Sequence, residues 1–183
     1  MAVKSEKQKK IRVFLVDDHP IVRDGVRSYL ASRDIAVVGE AADAPEALRK
    51  VKKLSPDVIV LDVNLPSMVG WEVALCLRRL VPKSRIIAFS IHSSEEYVVK
   101  MAQTGARGYV MKSQPTSELL EAIKQVSLGG RYFPAGMTDA MLAAAPKSSP
   151  KRPDSKTLTS HKKSTPLRPG LKNGAAKRAP KKK

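Results

Sequence analysis

Between Ile11 and Leu128, short continuous apolar runs alternate with segments whose apolar residues recur at helical spacing, and this alternation restricts the fold more than any other feature. The runs are Ile11–Val16, Ile35–Gly39, Asp57–Leu61, Arg85–Phe89 and Arg107–Met111. None of them alternates strictly between apolar and polar residues. Each therefore reads as a strand covered on both faces, the habit of parallel sheets sandwiched between helices. The intervening segments supply the helices. Pro20 opens one whose Val22, Val26, Tyr29 and Leu30 share a face. The sequence Asp43-Ala-Pro-Glu46 predicts a capping box ahead of Ala47, Leu48, Val51 and Leu54. A third helix is predicted around Trp71–Leu80, and a fourth is capped by Ser93 with Glu96 and ended by Gly105. The fifth runs from about Thr116 to Leu128, with Leu119, Leu120, Ile123 and Val126 inward and Gly129-Gly130 as its stop. Five strand–helix units predict an α/β, doubly wound (βα)5 domain, whose working site lies at the carboxyl ends of the strands.

The residues at those ends are polar. The first strand runs into Asp17-Asp18, the third into Asp62, the fourth into Ser90 and the fifth into Lys112. Singly, each has an ordinary explanation as a turn, a cap or a surface charge; specificity comes from their joint placement on one rim. Three carboxylates gathered there raise one another's pKa unless a cation joins them. Hard oxygen donors in that number suit Mg²⁺. A magnesium, a carboxylate nucleophile, a hydroxyl and a lysine make a phosphoryl-transfer site that works by positioning and charge neutralisation.

The segments VDDHPIVRDGV, VIVLDVNLPSMVGWE, IIAFSIHSSEEYVVKMAQTGARGYVMKS and ELLEAIKQVSLGGRYF resemble receiver domains of two-component response regulators of the NarL/FixJ (LuxR) type, over roughly residues 10–135. The resemblance implies a flavodoxin-like fold with parallel strand order 2-1-3-4-5. It implies that Asp62 is the phosphoacceptor, with Ser90 and Lys112 completing the catalytic set and Ser90 and Tyr109 acting as switch residues. Mg²⁺ is expected on Asp18 directly, on Asp17 chiefly through water, on Asp62, and on the backbone carbonyl of Asn64. Pro66 and Gly70 match the loop beyond the phosphoacceptor. The expected partners are a sensor histidine kinase and, on phosphorylation, a second copy docked through the first and fifth helices. The expected output is transcriptional, from a switch and not a turnover enzyme. Ser113 stands where many receivers have proline, and Ser90 replaces the commoner threonine; neither removes a required group. His19 and His92 read as loop residues, and Cys76, in Ala74-Leu75-Cys76-Leu77, as a small apolar residue on a helix.

The charge is distributed unevenly. Of 34 Lys and Arg residues, 13 lie in residues 146–183 beside the single acid Asp154, and these residues hold only three large aliphatics, Leu158, Leu167 and Leu171. Such a stretch reads as a disordered basic arm able to hold DNA without sequence preference. The expected organisation is therefore a basic lead (1–9), a receiver domain (10–130), a linker (131–145) and the basic tail (146–183). A regulator of this type is expected to continue into a helix-turn-helix domain, which residues 146–183 cannot build. Leu158-Thr159-Ser160 sits where such a domain typically begins, which leaves three readings open: a change of reading frame after Ser160, a truncation, or a single-domain regulator. No run reaches the roughly 18 apolar residues of a membrane span, and no signal-peptide core follows the charged N-terminus. A cytoplasmic protein is expected. Two other functions stay open: a nucleic-acid-binding protein acting through the tail, and a flavodoxin-like cofactor binder. The second is disfavoured because acids stand where a flavin phosphate wants backbone donors.

Overall fold

The computed structural model describes residues 10–66 and 68–137. The proposed tail, the Leu158-Thr159-Ser160 signal and most of the proposed linker lie outside the described residues. Five strands alternate with five helices: β1 (Ile11–Val16), α1 (Pro20–Ala31), β2 (Ile35–Ala41), α2 (Ala44–Leu54), β3 (Val58–Asp62), α3 (Gly70–Leu80), β4 (Arg85–Ser90), α4 (Glu95–Gln103), β5 (Gly108–Met111) and α5 (Thr116–Ser127). The strands form one parallel sheet in the order β2-β1-β3-β4-β5, as expected for a doubly wound receiver fold. Among the described residues no helix is long and apolar enough to cross a membrane.

Alternate side chains of each strand enter separate cores on the two faces of the sheet. Phe14, Val16, Ile59, Leu61, Ala88 and Tyr109 pack under α2, α3 and α4. Val13, Leu15, Val58, Val60, Ile87 and Val110 pack under α1 and α5. This is why the central residues of the strands are apolar, with Arg12 and Glu40 confined to the second and last-but-one positions of β1 and β2. A fully buried side chain of this kind contributes about 1.5–3 kcal/mol, so polar groups inside the sheet must be confined to strand ends. The predicted inward faces hold: Val26 and Leu30 on α1, Ala47 and Val51 on α2, and Leu119, Leu120, Ile123 and Val126 on α5 are buried.

The helix ends follow local chemistry. Asp43 accepts from the Glu46 backbone N–H, and the Glu46 carboxylate returns to the Ala42 N–H, so the predicted capping box reaches one residue further back than its simplest form. Gly105 takes φ +89° after α4, and Gly129 takes φ +97° after α5, left-handed positions that glycine occupies without a Cβ penalty. One expectation fails. The N-cap of α4 is Ser94, not Ser93, and its side chain makes no capping bond; helix entry there rests on backbone bonds from Tyr97 and Val98 to the Ser94 carbonyl.

Beyond α5 the chain returns to the sheet. Tyr132 forms a parallel bridge with Gly108, accepting from Tyr109 N–H at 2.7 Å and donating to the Arg107 carbonyl at 2.9 Å. Its hydroxyl donates to Glu118 of α5. Phe133 and Met137 pack on the core. The outer edge of β5 is thereby occupied, which removes unpaired backbone from the surface.

Candidate functional site

Because all five strands are parallel, their carboxyl ends meet on one rim. β1 delivers Asp17 and Asp18, β3 ends on Asp62, β4 on Ser90, and Lys112 follows β5. Asp17, Asp62 and Ser90 are buried, a rare condition for carboxylates unless they are paired. The pairing comes from Lys112. Its Nζ lies 2.6 Å from Asp62 Oδ2 and 2.7 Å from Asp17 Oδ2, and its own side chain is only 12% exposed. The other oxygen of Asp62 accepts the backbone N–H of Asn64 at 2.9 Å. Arg23, one turn into α1, donates to the Asp17 carbonyl at 2.5 Å.

The electrostatics follow from this packing. Burial pushes the Asp62 carboxyl above its ordinary range, against the opposing pull of Lys112 and the Asn64 N–H. Burial alone would lower Lys112, but its bonds to Asp17 and Asp62 prevail and hold the ammonium above its ordinary value. Asp17, Asp18, His19 and Asp62 each present a ligand atom within 4.8 Å of the others. His19 Nδ1 stands 2.8 Å from Asp18 Oδ1, and its backbone N–H donates to Asp17 Oδ1 at 2.9 Å. Asp17 Oδ2 and Asp18 Oδ1 are buried and accept no well-directed hydrogen bond, although Lys112 Nζ and His19 Nδ1 stand close to them. Two carboxylate oxygens with spare acceptor capacity, beside a third carboxylate, form a donor set that fits a hard divalent cation.

The remaining residues named from the sequence lie close by. The Ser90 hydroxyl accepts the His92 N–H at 3.1 Å. Tyr109 is 1% exposed, with its hydroxyl donating to the His92 carbonyl at 2.7 Å, so the aromatic ring is buried against the core. Asn64 and Pro66 are exposed on the loop, and Gly70 opens α3. What the sequence did not disclose is the chain of contacts around His92. Its Nε2 meets the Asn64 side chain at 2.8–3.0 Å, its ring stacks on Tyr97 at 4.1 Å, and Tyr97 meets Trp71 edge-on at 6.1 Å. Two loops and two helices beside the acidic rim are joined through side chains dispersed along the sequence, and no spacing signals such a contact.

Known proteins resemble this chain in sequence and in fold. The family model described as "Response regulator receiver domain" matches residues 13–124. The chain is 37% identical over 134 residues to the transcriptional regulatory protein MctR of Rhizobium johnstonii, covering 73% of this chain and 63% of that protein. It is 36% identical over 138 residues to the nitrate/nitrite response regulator protein NarL of Escherichia coli K12, covering 75% and 64% respectively. Among solved structures, a LuxR-family two-component response regulator from Aurantimonas sp. SI85-9A1 is 38% identical with a TM-score of 0.67, covering 74% of this chain and 96% of that one. The chain spans less than two thirds of the length of these curated relatives.

Proposed function

The chain belongs to the response regulator receiver domain family, and from that premise we propose that it is a phosphorylation switch with Asp62 as phosphoacceptor. The observation that carries this reading is the ammonium of Lys112 bridging buried Asp62 and Asp17 at the rim where the carboxylates gather. An oxygen of Asp62 attacks the phosphorus of a phosphohistidine on a sensor kinase, or of a small phosphodonor. An O–P bond forms as the donor's bond to phosphorus breaks, and the donor leaves with the bonding pair. The carboxylate needs no general base. Asp17, Asp18, Asp62 and the Asn64 carbonyl would hold Mg²⁺, which supplies positive charge for the phosphoryl oxygens when bound. Lys112 then pairs with the new phosphoryl group, and the Ser90 hydroxyl turns to it.

A phosphoryl group adds close to two negative charges, and its draw on Ser90 and Lys112 biases the face formed by α4, β5 and α5. That face, with Tyr109 beneath it, sets binding to a partner or to a second copy through α1 and α5. Ile21 on α1 and Leu128 just after α5 are 87% and 89% exposed, which supports an apolar contribution to such a contact. The relatives are response regulators, signalling proteins whose names point to transcriptional regulation, and we extend that role to this chain, with the receiver over 10–130, a linker over 131–145 and a basic tail over 146–183. The 13 basic residues of 146–183 favour a second reading, in which the receiver gates nonspecific nucleic-acid binding.

The test is labelling of wild type and Asp62→Asn by a small phosphodonor with Mg²⁺ and with chelator. The wild type takes up a base-labile, Mg²⁺-dependent phosphoryl group and Asp62→Asn takes up none. Undiminished labelling of Asp62→Asn would remove the assignment.

A further inference from the structure

At the opposite rim of the sheet, where the strands begin, lies a cavity of about 660 Å³ that the phosphoacceptor chemistry does not use. Its walls come from the end of α3 and the start of β4 with the turn between them, the end of α4 with the turn into β5, and the chain after α5. Arg78, Lys83, Arg85, Arg107 and Arg131 line it together with Phe133, and no acidic residue does. Several cations elsewhere in the fold have carboxylate partners: Arg23 and Arg27 with Glu40, Lys50 with Glu46, Lys100 with Glu96. Among the described residues none of the five cavity cations is ion-paired to a carboxylate. Like charges around one hollow repel, and an anion that joins them converts repulsion into attraction.

We propose that this cavity binds a nucleoside polyphosphate, with its phosphates on the guanidinium groups and its base against Phe133. Three observations specify that ligand. The first is the donor type: four of the five cations are arginines, whose planar forks match phosphate oxygens in pairs. The second is that Arg78 is already held in place. Its Nη1 donates to the Thr104 carbonyl at 2.9 Å, and the Thr104 hydroxyl is fixed on the Met101 carbonyl at 2.6 Å. The guanidinium lies against Gly105, where a Cβ would stand 2.3 Å from Nη1, so this glycine serves as the seat of the arginine as well as the end of α4. A cation ordered before binding costs less to engage. The third is Phe133, packed on the core yet lining the cavity, an aromatic face of the kind on which bases stack. The volume falls among small-molecule sites, which run from about 300 to 1,000 Å³, and exceeds what a lone phosphate needs.

The test is calorimetric titration of the full chain with ATP, inorganic tripolyphosphate and adenosine, in chelator so that no metal carries nucleotide to the acidic rim. The basic tail also attracts polyphosphates, so the decisive comparison is between two variants of equal charge. Arg107→Ala/Arg131→Ala removes two cavity cations whose exposed side chains hold nothing else in the fold. Lys182→Ala/Lys183→Ala removes two from the tail. The cavity variant weakens ATP at least about tenfold and the tail variant less than about twofold, a difference beyond what charge alone gives. Phe133→Leu weakens ATP and leaves tripolyphosphate unchanged, adenosine binds far more weakly than either, and Asp62→Asn binds ATP as the wild type does. Equal losses in the two charge variants would overturn the site in favour of tail electrostatics. Indifference of ATP to Phe133→Leu would overturn the nucleoside part.

Discussion

The ammonium of Lys112 lies 2.6 Å from Oδ2 of Asp62, and neither group has much access to water: Asp62 is 2% exposed. The lysine also serves Asp17, so it neutralises two buried acids at once. Removing one partner of a buried pair costs about 3–5 kcal/mol, because a charge is left without compensation. Lys112→Ala is therefore expected to lose stability of that order in urea titration at neutral pH in chelator. Adding Asp62→Asn to the variant should restore part of the loss, since one of the stranded charges disappears. The pH dependence has a definite sign. Lys112 holds its proton more tightly when folded, so its contribution is complete below the ordinary lysine pKa and is lost as pH rises through the raised one. At the acidic end, protonation of Asp62, whose carboxyl burial already pushes up, removes a charge that the lysine neutralises, and the gap between wild type and variant should narrow as pH falls. A gap that stays constant across the carboxylate range would mean that Lys112 acts by packing alone.

The acidic rim was legible because two strong rules act together. Continuous apolar runs specify buried parallel strands, and parallel strands bring their ends to one side; Asp17, Asp18, Asp62, Ser90 and Lys112 needed no further information to be gathered. The basic cavity obeys the same geometry but could not be read in advance. Arg78 on α3, Lys83 and Arg85 at the entry to β4, Arg107 before β5 and Arg131 after α5 are dispersed along the chain, and none of these positions signals the others in the sequence. The contacts of His92 with Asn64 and Tyr97 were hidden for the same reason. The α4 cap was misplaced because Ser93 and Ser94 are equivalent by composition, and only the backbone decides between them. The return of Tyr132 to β5 had no sequence signal beyond an aromatic residue after Gly129-Gly130.

Gly70 gives a second prediction. A Cβ built there would stand 2.5 Å from Cα and 2.8 Å from the carbonyl oxygen of Val63, the residue that follows Asp62. The obstacle is backbone, which cannot rotate away as a side chain can, and Gly70 N–H donates to that same carbonyl at 2.9 Å. Gly70→Ala is therefore expected to push the loop after β3 outward, at a cost of about 1–3 kcal/mol, as overpacking typically does. Thermal unfolding measures the loss, and slower labelling by a small phosphodonor reports the displaced loop. Wild-type behaviour in both would show that α3 can slide.

Tyr132 tests whether the chain after α5 contributes to stability. Its hydrogen bond to Glu118, aided by partial burial, pushes the phenol up to about 12. An ordinary tyrosine loses its proton near 10. The folded form thus retains the proton longer than the unfolded one. The resulting stabilisation is complete below about pH 10 and is lost as pH rises from about 10 to 12. Denaturant titrations over that window should show wild type losing stability more steeply than Tyr132→Phe, which has no phenolic proton. Parallel curves would mean that the contact with Glu118 adds nothing in solution.

The last prediction concerns the 38 residues 146–183, with 13 Lys and Arg against one acid and no aromatic residue. Without aromatics there is no stacking platform for single strands. What such a composition offers is neutralisation of phosphates, which ignores base sequence and releases counterions. If about half of these cations contact a duplex at once, log affinity should fall against log salt with a slope of about −5 to −6. Binding should be appreciable at low salt and largely gone near 0.15 M, where the screening length is about 8 Å. Truncation after residue 145 should abolish it and leave Asp62 labelling intact, because the carboxylate rim draws only on residues up to Lys112. The measurement is a salt titration of intact and truncated protein on two unrelated duplexes. A preference above about tenfold for one of them that survives at 0.15 M would require base-edge contacts, each good pair being worth about 1–3 kcal/mol, and would defeat the electrostatic reading.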